Sequence, residues 1–169
     1  ISGAGGSIGL ELVKQCLNFY PSEIICIDLN EEKIFELTLI HSKQNTIIKP
    51  VLCSINNREE LRKIFNDNRP HIVFHAAAYK HVPIQELHPW TAVNTNVGGT
   101  LNIIEMSDKF KVEKFVLVST DKAVNPVNIM GATKRVAEKL IQAINIISKT
   151  KFMAVRFGNV LGSSGSAIP

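Results

Sequence analysis

Short apolar runs alternate with longer amphipathic segments along the whole chain, and this alternation constrains the fold more than any other feature. The runs cover residues 24–27, 47–52, 72–74, 115–118 and 152–155. They are rich in β-branched residues and continuous rather than alternating, as expected of strands buried on both faces of a parallel sheet. Between them, Ile8, Leu12, Val13, Cys16 and Leu17 recur at helical spacing, as do Ile34, Leu37 and Ile40 or His41, then Leu61, Ile64 and Phe65. Residues 90–109 and 129–149 read as two longer helices. Asn125-Pro126 is a start signal for the second, since Asn caps and Pro fits a first turn. Strand and helix in strict succession predict an α/β fold with a doubly wound parallel sheet.

At 169 residues, 45% of them apolar and 20% charged, the chain suits one globular domain and not a disordered one. The 19 basic and 15 acidic residues leave a charge of +4. They are scattered, with no block of like charge, which argues for an ordinary solvated surface and against a nucleic-acid partner. No window approaches the roughly 18–20 apolar residues of a membrane span. Cys16, Cys26 and Cys53 form no CxxC pair; an odd, spread set fits a reducing compartment and small buried side chains. The opening Ile1-Ser2-Gly3 leaves no room for a strand before the glycines. Residues 1–169 are therefore expected to be one domain with a truncated first strand. Gly162 through Ser166 reads as a mobile loop leading out of it.

Gly3, Gly6 and Gly9 are spaced GxxGxxG, and Gly5 allows a second reading as GxGxxxG. With Ser7 and Ile8 opening a helix, such glycines give a tight turn and let backbone approach a pyrophosphate at the helix N-terminus. Asp28 ends the next run, 19 residues past Gly9. An acid there accepts hydrogen bonds from a ribose and repels a 2′-phosphate, which points to NAD rather than NADP. The competing reading is a plain glycine turn with Asp28 capping a helix. Ser54 and Ile55 follow the third run, where an adenine would lie. Ala76, Ala77 and Ala78 follow the fourth, where small side chains let a cofactor lie on the backbone. Gly98-Gly99 inside a helical pattern suggests close approach of that helix to the sheet, or a kink.

The run at 115–118 leads directly into Ser119-Thr120-Asp121-Lys122. Carboxyl ends of strands face the ligand crevice in open α/β sheets, so these side chains are expected beside a nicotinamide. Met130 and Lys134 are four apart and share one face of the next helix. His71 and His75 share a strand face but lie about 13 Å apart, too far to chelate one ion. His81 and His88 lack a carboxylate at useful spacing, and no metal is expected. Arg156 and Asn159 follow the last run and are placed facing the same crevice.

Five stretches carry a family resemblance: residues 3–9, 75–83, 94–100, 119–134 and 155–166. In them the sequence resembles the extended short-chain dehydrogenase/reductases, and more narrowly the bacterial polysaccharide-biosynthesis nucleotide-sugar 4,6-dehydratases. The resemblance implies that residues 1–169 are a Rossmann-like NAD-binding domain with bound NAD, without the substrate-binding part that should follow. It also implies conversion of a UDP-N-acetylhexosamine, UDP-N-acetylglucosamine above all, to its 4-keto-6-deoxy product for capsule, O-antigen or glycan synthesis. Hydride leaves C4, the ketone acidifies the C5 proton, water leaves from C6 and hydride returns there. By resemblance Asp121 is the acid for the C6 hydroxyl and Lys122 the C5 base. A lysine base needs its pKa brought from about 10.4 toward about 7–8.

Most relatives carry Tyr-x-x-x-Lys, whereas this chain has Met130-x-x-x-Lys134. A thioether cannot titrate, so Met130 is no base. Met in this place is a mark of the large, membrane-anchored branch. Thr120 and Asp121 are then the candidates for the C4 hydroxyl proton, with Lys134 on the nicotinamide ribose. Lys80 and Asn159 are expected at the nucleotide sugar, with simple packing as the alternative. A homo-oligomer in the cytoplasm is implied, anchored to the inner membrane through a segment outside this chain. The rivals are a sugar-nucleotide 4-epimerase, which needs no acid–base pair for elimination, and a noncatalytic NAD-binding module.

Overall fold

The computed structural model describes residues 1–39, 46–158 and 160. Helix α1 (Ser7–Leu17) follows the glycines and leads to β1 (Glu23–Asp28), α2 (Glu31–Thr38), β2 (Ile47–Leu52), α3 (Arg58–Asn68) and β3 (Ile72–His75). Two short helices, α4 (Val82–Leu87) and α5 (Pro89–Ala92), precede a π-helical segment, Val93–Gly99, which runs on into α6 (Thr100–Lys109). Then come β4 (Lys114–Thr120), a 3-10 turn at Asp121–Ala123, α7 (Ile129–Ile144) and β5 (Lys151–Phe157).

Every strand pair is parallel: β1 with β2, β3 with β4, and β4 with β5. Ser2 joins the two halves by bridging Ile27 on one side and His75 on the other. Its N–H donates to Phe74 O at 3.0 Å, and its own carbonyl accepts the N–H of Ala76 at 2.9 Å. The order is thus β2-β1-Ser2-β3-β4-β5, with Ile1 and Ser2 at the place of a central strand. Beside them, between the amino ends of β1 and β3, a cavity of about 460 Å³ is walled by Ile24, Ile25, Ile72 and Phe74.

The five runs are strands, as expected, but burial on both faces is not uniform. One face carries α3, α6 and α7 over a core of Leu61, Phe65, Ile103, Phe115, Leu117, Ala137 and Phe152. On the other face α1 and α2 bury Val13, Ile24, Cys26 and Leu37. They pack mainly over β1 and β2, and Ile72, Met153 and Val155 of β3 and β5 are exposed. Ile47 and Leu52 on edge strand β2 are exposed as well.

The long helices also differ from expectation. Asn128, not Asn125, caps α7, its Oδ1 accepting the N–H of Gly131 at 2.7 Å. Asn125 takes a left-handed φ of 45°, which carries the chain into Pro126 and Val127 before any helix begins. The helix stops at Ile144, because the Asn145 side chain bonds both the N–H and the carbonyl of Phe152 and turns the chain into β5. Residues 90–109 are helical but loosened by the π segment. Gly99 does mark a close approach, to the loop after β2 rather than to the sheet: a Cβ there would lie 2.5 Å from Ile55 Cδ1. A Cβ on Gly98 would meet only Asn94 Oδ1, at an ordinary 3.7 Å. Residues 40 and 41, Asn159 and the 162–166 stretch lie outside the described residues.

Candidate active site

The glycine loop takes its shape from steric necessity. Gly3 has φ 70°, and a Cβ on it would stand 2.5 Å from Ala77 N. A Cβ on Gly9 would stand 1.9 Å from Gly3 O, so the first turn of α1 can close on the loop only without one. Gly6 is different: a Cβ there meets nothing nearer than Gly3 O at 3.4 Å. Its need for glycine therefore does not come from the protein itself. It fits a ligand that lies on the backbone at the N-terminus of α1, as a pyrophosphate would.

Asp28 ends β1 with one carboxylate oxygen accepting the Gly5 N–H at 2.9 Å and the other accepting the Asn30 N–H at 3.0 Å. It is not the cap of α2; that is Asn30, whose Oδ1 accepts from Lys33 N at 3.1 Å. Both oxygens of Asp28 retain lone pairs for a diol. Gly3, Gly6, Asp28, Cys53, Ile55 and the three alanines after β3 line a cavity of about 170 Å³. Ser54 stands at its edge in a turn, its hydroxyl accepting from Asn56 N at 3.2 Å.

A second cavity, of about 340 Å³, opens across Ala76 and Ala78 from the first. Ile8, Lys80, Ser119, Thr120, Lys122, Met130, Lys134 and Gly158 line it. Together the two form one crevice along the carboxyl ends of the strands, with the reach and polarity a dinucleotide requires. Of the sequence-predicted residues, Gly3, Gly6, Asp28, Ile55 and Ala77 line the first cavity, Ile8, Lys80, Thr120, Lys122, Met130 and Lys134 line the second, and Ala76 borders both; Gly9 and Asp121 line neither. Ser7 starts α1 at the seam.

The chemistry-bearing groups are closely coupled. Thr120 Oγ1 donates to Asp121 Oδ1 at 2.9 Å and accepts the N–H of Lys122 at 3.3 Å, which starts the 3-10 turn. Lys122 Nζ lies 3.3 Å from the same carboxylate oxygen. The Thr120 hydroxyl first, and Lys122 after it, hold Asp121 below the ordinary carboxylate range. In this geometry Asp121 is therefore a carboxylate, a base before it is an acid. Met130 is buried one helical turn from Lys134. Lys134 Nζ donates to Val118 O at 2.9 Å. Burial brings the lysine down to about 8, with Glu138 working against the fall.

The sequence reading left several groups without a role that the structure supplies. His75 is fully buried between Ser2 Oγ, 2.6 Å from Nδ1, and Thr100 Oγ1, 2.8 Å from Nε2. The Thr100 hydroxyl spends its proton on Asn96 O. Nε2 must then be the protonated nitrogen, and Nδ1 accepts from Ser2. The Asn96 amide holds both the N–H and the carbonyl of Tyr79, and reaches Thr133 on α7 at 3.0 Å. It thereby fixes the loop carrying Lys80 against the helix carrying Lys134. Arg156 does not face the crevice. It is an even-numbered residue of β5, so it shares the α7 face with Phe152, and its guanidinium grips Glu138. Among the described residues no group of His, Cys, Asp or Glu could hold a metal ion.

The family profile described as "Polysaccharide biosynthesis protein" matches residues 1–169. The chain is 47% identical over 174 residues to the capsular polysaccharide biosynthesis protein CapD of Staphylococcus aureus, all of this chain against 29% of that protein. It is 38% identical over 173 residues to an inverting UDP-N-acetylglucosamine 4,6-dehydratase of Campylobacter jejuni, of which it covers 51%. It is 36% identical over 178 residues to a UDP-glucose 4-epimerase of Rickettsia bellii, of which it covers 50%. The chain thus spans about half of these relatives or less. Among solved structures, Pen from Bacillus thuringiensis superposes with a TM-score of 0.87 at 35% identity, covering 98% of this chain and 51% of that one. The Thermus thermophilus UDP-glucose 4-epimerase, solved as a complex with NAD, shares the fold at TM-score 0.81 and 23% identity, over 95% of this chain and 55% of that one. With a family profile matched from its first residue to its last, on a Rossmann-like NAD-binding fold, the chain belongs to the polysaccharide biosynthesis protein family.

Proposed function

We propose that the chain is the cofactor-binding and acid–base part of an NAD-dependent nucleotide-sugar 4,6-dehydratase acting on a UDP-N-acetylhexosamine, with UDP-N-acetylglucosamine as the first substrate to test. One observation carries this reading: a carboxylate and an amine, Asp121 and Lys122, sit 3.3 Å apart at the carboxyl end of β4, and Lys122 lines the same cavity as Met130 and Lys134. An elimination across C5 and C6 needs an acid and a base side by side, and an epimerisation at C4 does not.

Bound NAD would supply a hydride acceptor at C4 and give the hydride back at C6. The residues handle the protons. Thr120 and the ionised Asp121 form a relay of the right length to receive the C4 hydroxyl proton, a task that Met130 cannot perform. The same proton then leaves from Asp121 with the C6 hydroxyl as water. Lys122 takes the C5 proton and returns a proton to C5 as the hydride reaches C6, and Lys134 holds the nicotinamide ribose. Lys80 and Asn159 are assigned to the nucleotide sugar.

The reading carries with it a cytoplasmic site of action, a homo-oligomer, and the membrane-anchored branch marked by Met130. No helix among the described residues is long and apolar enough to cross a membrane. Incubation of the intact protein with UDP-N-acetylglucosamine and NAD decides the reaction. A product lighter by one water, with no net change in NAD, supports the dehydratase. An isomer of unchanged mass, as the relationship to UDP-glucose 4-epimerases would allow, sinks it. NAD binding without any product points to the noncatalytic module.

A further inference from the structure

We propose that Glu138, which does not border the crevice, is a positioning residue for it: its carboxylate holds β4, β5 and α7 in one register and sets the electrostatic environment of Lys134. The argument starts from spacing. Lys134 and Glu138 lie four apart on α7, hence one above the other on the same buried face. Lys134 takes the carbonyl of Val118, and Glu138 takes the hydroxyl of the next residue, Ser119, at 2.7 Å. Two successive turns of helix thus hold two successive residues of β4, immediately before Thr120-Asp121-Lys122.

The third element is held by the same carboxylate. Arg156 Nε donates to one oxygen at 2.7 Å and its terminal nitrogen to the other at 2.6 Å, a two-pronged pairing. Arg135 adds a bond at 3.1 Å. Arg156 stands directly before Phe157 and Gly158, which wall the crevice. Arg156 above all, with Ser119 and Arg135, keeps Glu138 ionised down to about 2. A buried ionic cluster is a poor source of stability compared with apolar packing, and its best-attested use is to fix register.

The charge has a second consequence. Among the described residues, Lys80 and Lys122 line the cavity that Lys134 lines, Asp121 is paired to Lys122, and Arg135 on α7 and Arg156 on β5 hold Glu138. His75, on β3, is neutral. Glu138 is the anion opposing the burial of the Lys134 ammonium. Removing the negative charge should make Lys134 lose its proton at lower pH. Removing Arg156, which offsets that negative charge, should do the reverse.

What the held residues accomplish rests on the dehydratase reading; the holding does not, and NAD binding reads it independently. In the intact protein, NAD affinity is measured by calorimetric titration between pH 6 and 10, next to product formation from UDP-N-acetylglucosamine. Glu138→Gln is expected to move the alkaline fall in NAD affinity to lower pH, with affinity at pH 8 weaker about three- to tenfold. Glu138→Asp, which keeps the charge, is expected to restore the wild-type limb. Arg156→Gln, at a half-exposed position, is expected to move the limb upward. A shift of both Gln variants in the same direction, or of neither, overturns the proposal, since a merely structural cluster has no reason to shift the limb in opposite senses. Should Glu138→Gln fail to fold, the direction of the Arg156→Gln shift decides alone. If the wild-type protein forms no dehydrated product while the limbs still shift oppositely, only the dehydratase reading fails.

Discussion

The carboxylate of Asp28 accepts the backbone N–H of Gly5 at 2.9 Å, so the residue expected to recognise the adenosine ribose also closes the loop expected to hold the pyrophosphate. Its second oxygen accepts Asn30 N and thereby orients the start of α2. Recognition and loop shape are tied to one side chain. Asp28→Ala leaves two N–H groups without an acceptor and removes the ribose acceptor. NAD affinity should fall more than tenfold, in line with roughly 1.5–3 kcal/mol for a lost hydrogen bond to a charged group. Asp28→Asn keeps an acceptor but drops the charge that repels a 2′-phosphate. The ratio of NADP to NAD affinity should rise in this variant. An unchanged ratio in titrations of Asp28→Asn beside wild type would remove Asp28 from cofactor discrimination.

Gly3 and Gly9 are glycines the fold needs, whereas Gly6 is one that the proposed pyrophosphate would need. Gly9→Ala forces a methyl to within 1.9 Å of Gly3 O, and Gly3→Ala adds a left-handed φ to a clash with Ala77 N. Both should lower stability by about 1–3 kcal/mol, as overpacking does. Gly6→Ala meets only Gly3 O at 3.4 Å. Its unfolding midpoint should stay close to wild type while NAD affinity drops at least tenfold. Denaturant unfolding and NAD titration of the three variants separate the two effects. Loss of stability without loss of affinity in Gly6→Ala would show that no ligand lies over that residue.

At the end of β4 the two groups assigned to proton transfer can be removed singly. Asp121→Asn abolishes a proton acceptor while keeping the shape, and Lys122→Ala removes the proposed C5 base. Neither side chain belongs to the glycine loop or its cavity. Both variants of the intact protein should retain NAD binding within about threefold and lose product formation by at least about a hundredfold, the lower range for removing one acid–base group. Full turnover in either variant would remove the role assigned to that residue.

How much of this was readable beforehand depends on range. The strand runs were legible because strands of a parallel sheet need apolar side chains in succession, and the glycine loop because its spacing falls within seven residues, although Ala77 and Asp28, far along the chain, close it. Arg156 was misplaced because strand position is visible in a sequence but facing is not. Facing follows from the register of Phe115 with Phe152, which pairs residues 37 apart. The start of α7 was misread because Asn125 and Asn128 carry the same signal three residues apart, and only the left-handed turn at Asn125 rules out the first. His75 looked like a candidate ligand to be dismissed. Its partners, Ser2 and Thr100, stand 73 and 25 residues away, and no local pattern announces them.

That histidine makes the fold sensitive to acid. Burial, with Lys134 adding to it, pushes His75 from 6.5 down to about 3, so the folded chain refuses a proton that the unfolded chain accepts. With the folded value below the unfolded one, the contribution is complete above about pH 6.5 and is lost as pH falls toward 3. The slope for one such proton is about 1.4 kcal/mol per pH unit. Glu138 adds to the loss only below its ordinary 4.5, since it is held near 2. Between pH 6.5 and 4.5 the histidine should therefore act apart from that carboxylate. In His75→Gln the stability at pH 7.5 should be lower, because one side chain amide cannot serve Ser2 and Thr100 with the imidazole's geometry. Its decline between pH 6.5 and 4.5 should nevertheless be shallower than in wild type. Urea unfolding at half-unit pH steps tests this, and parallel curves for the two proteins would show that the acid response originates elsewhere.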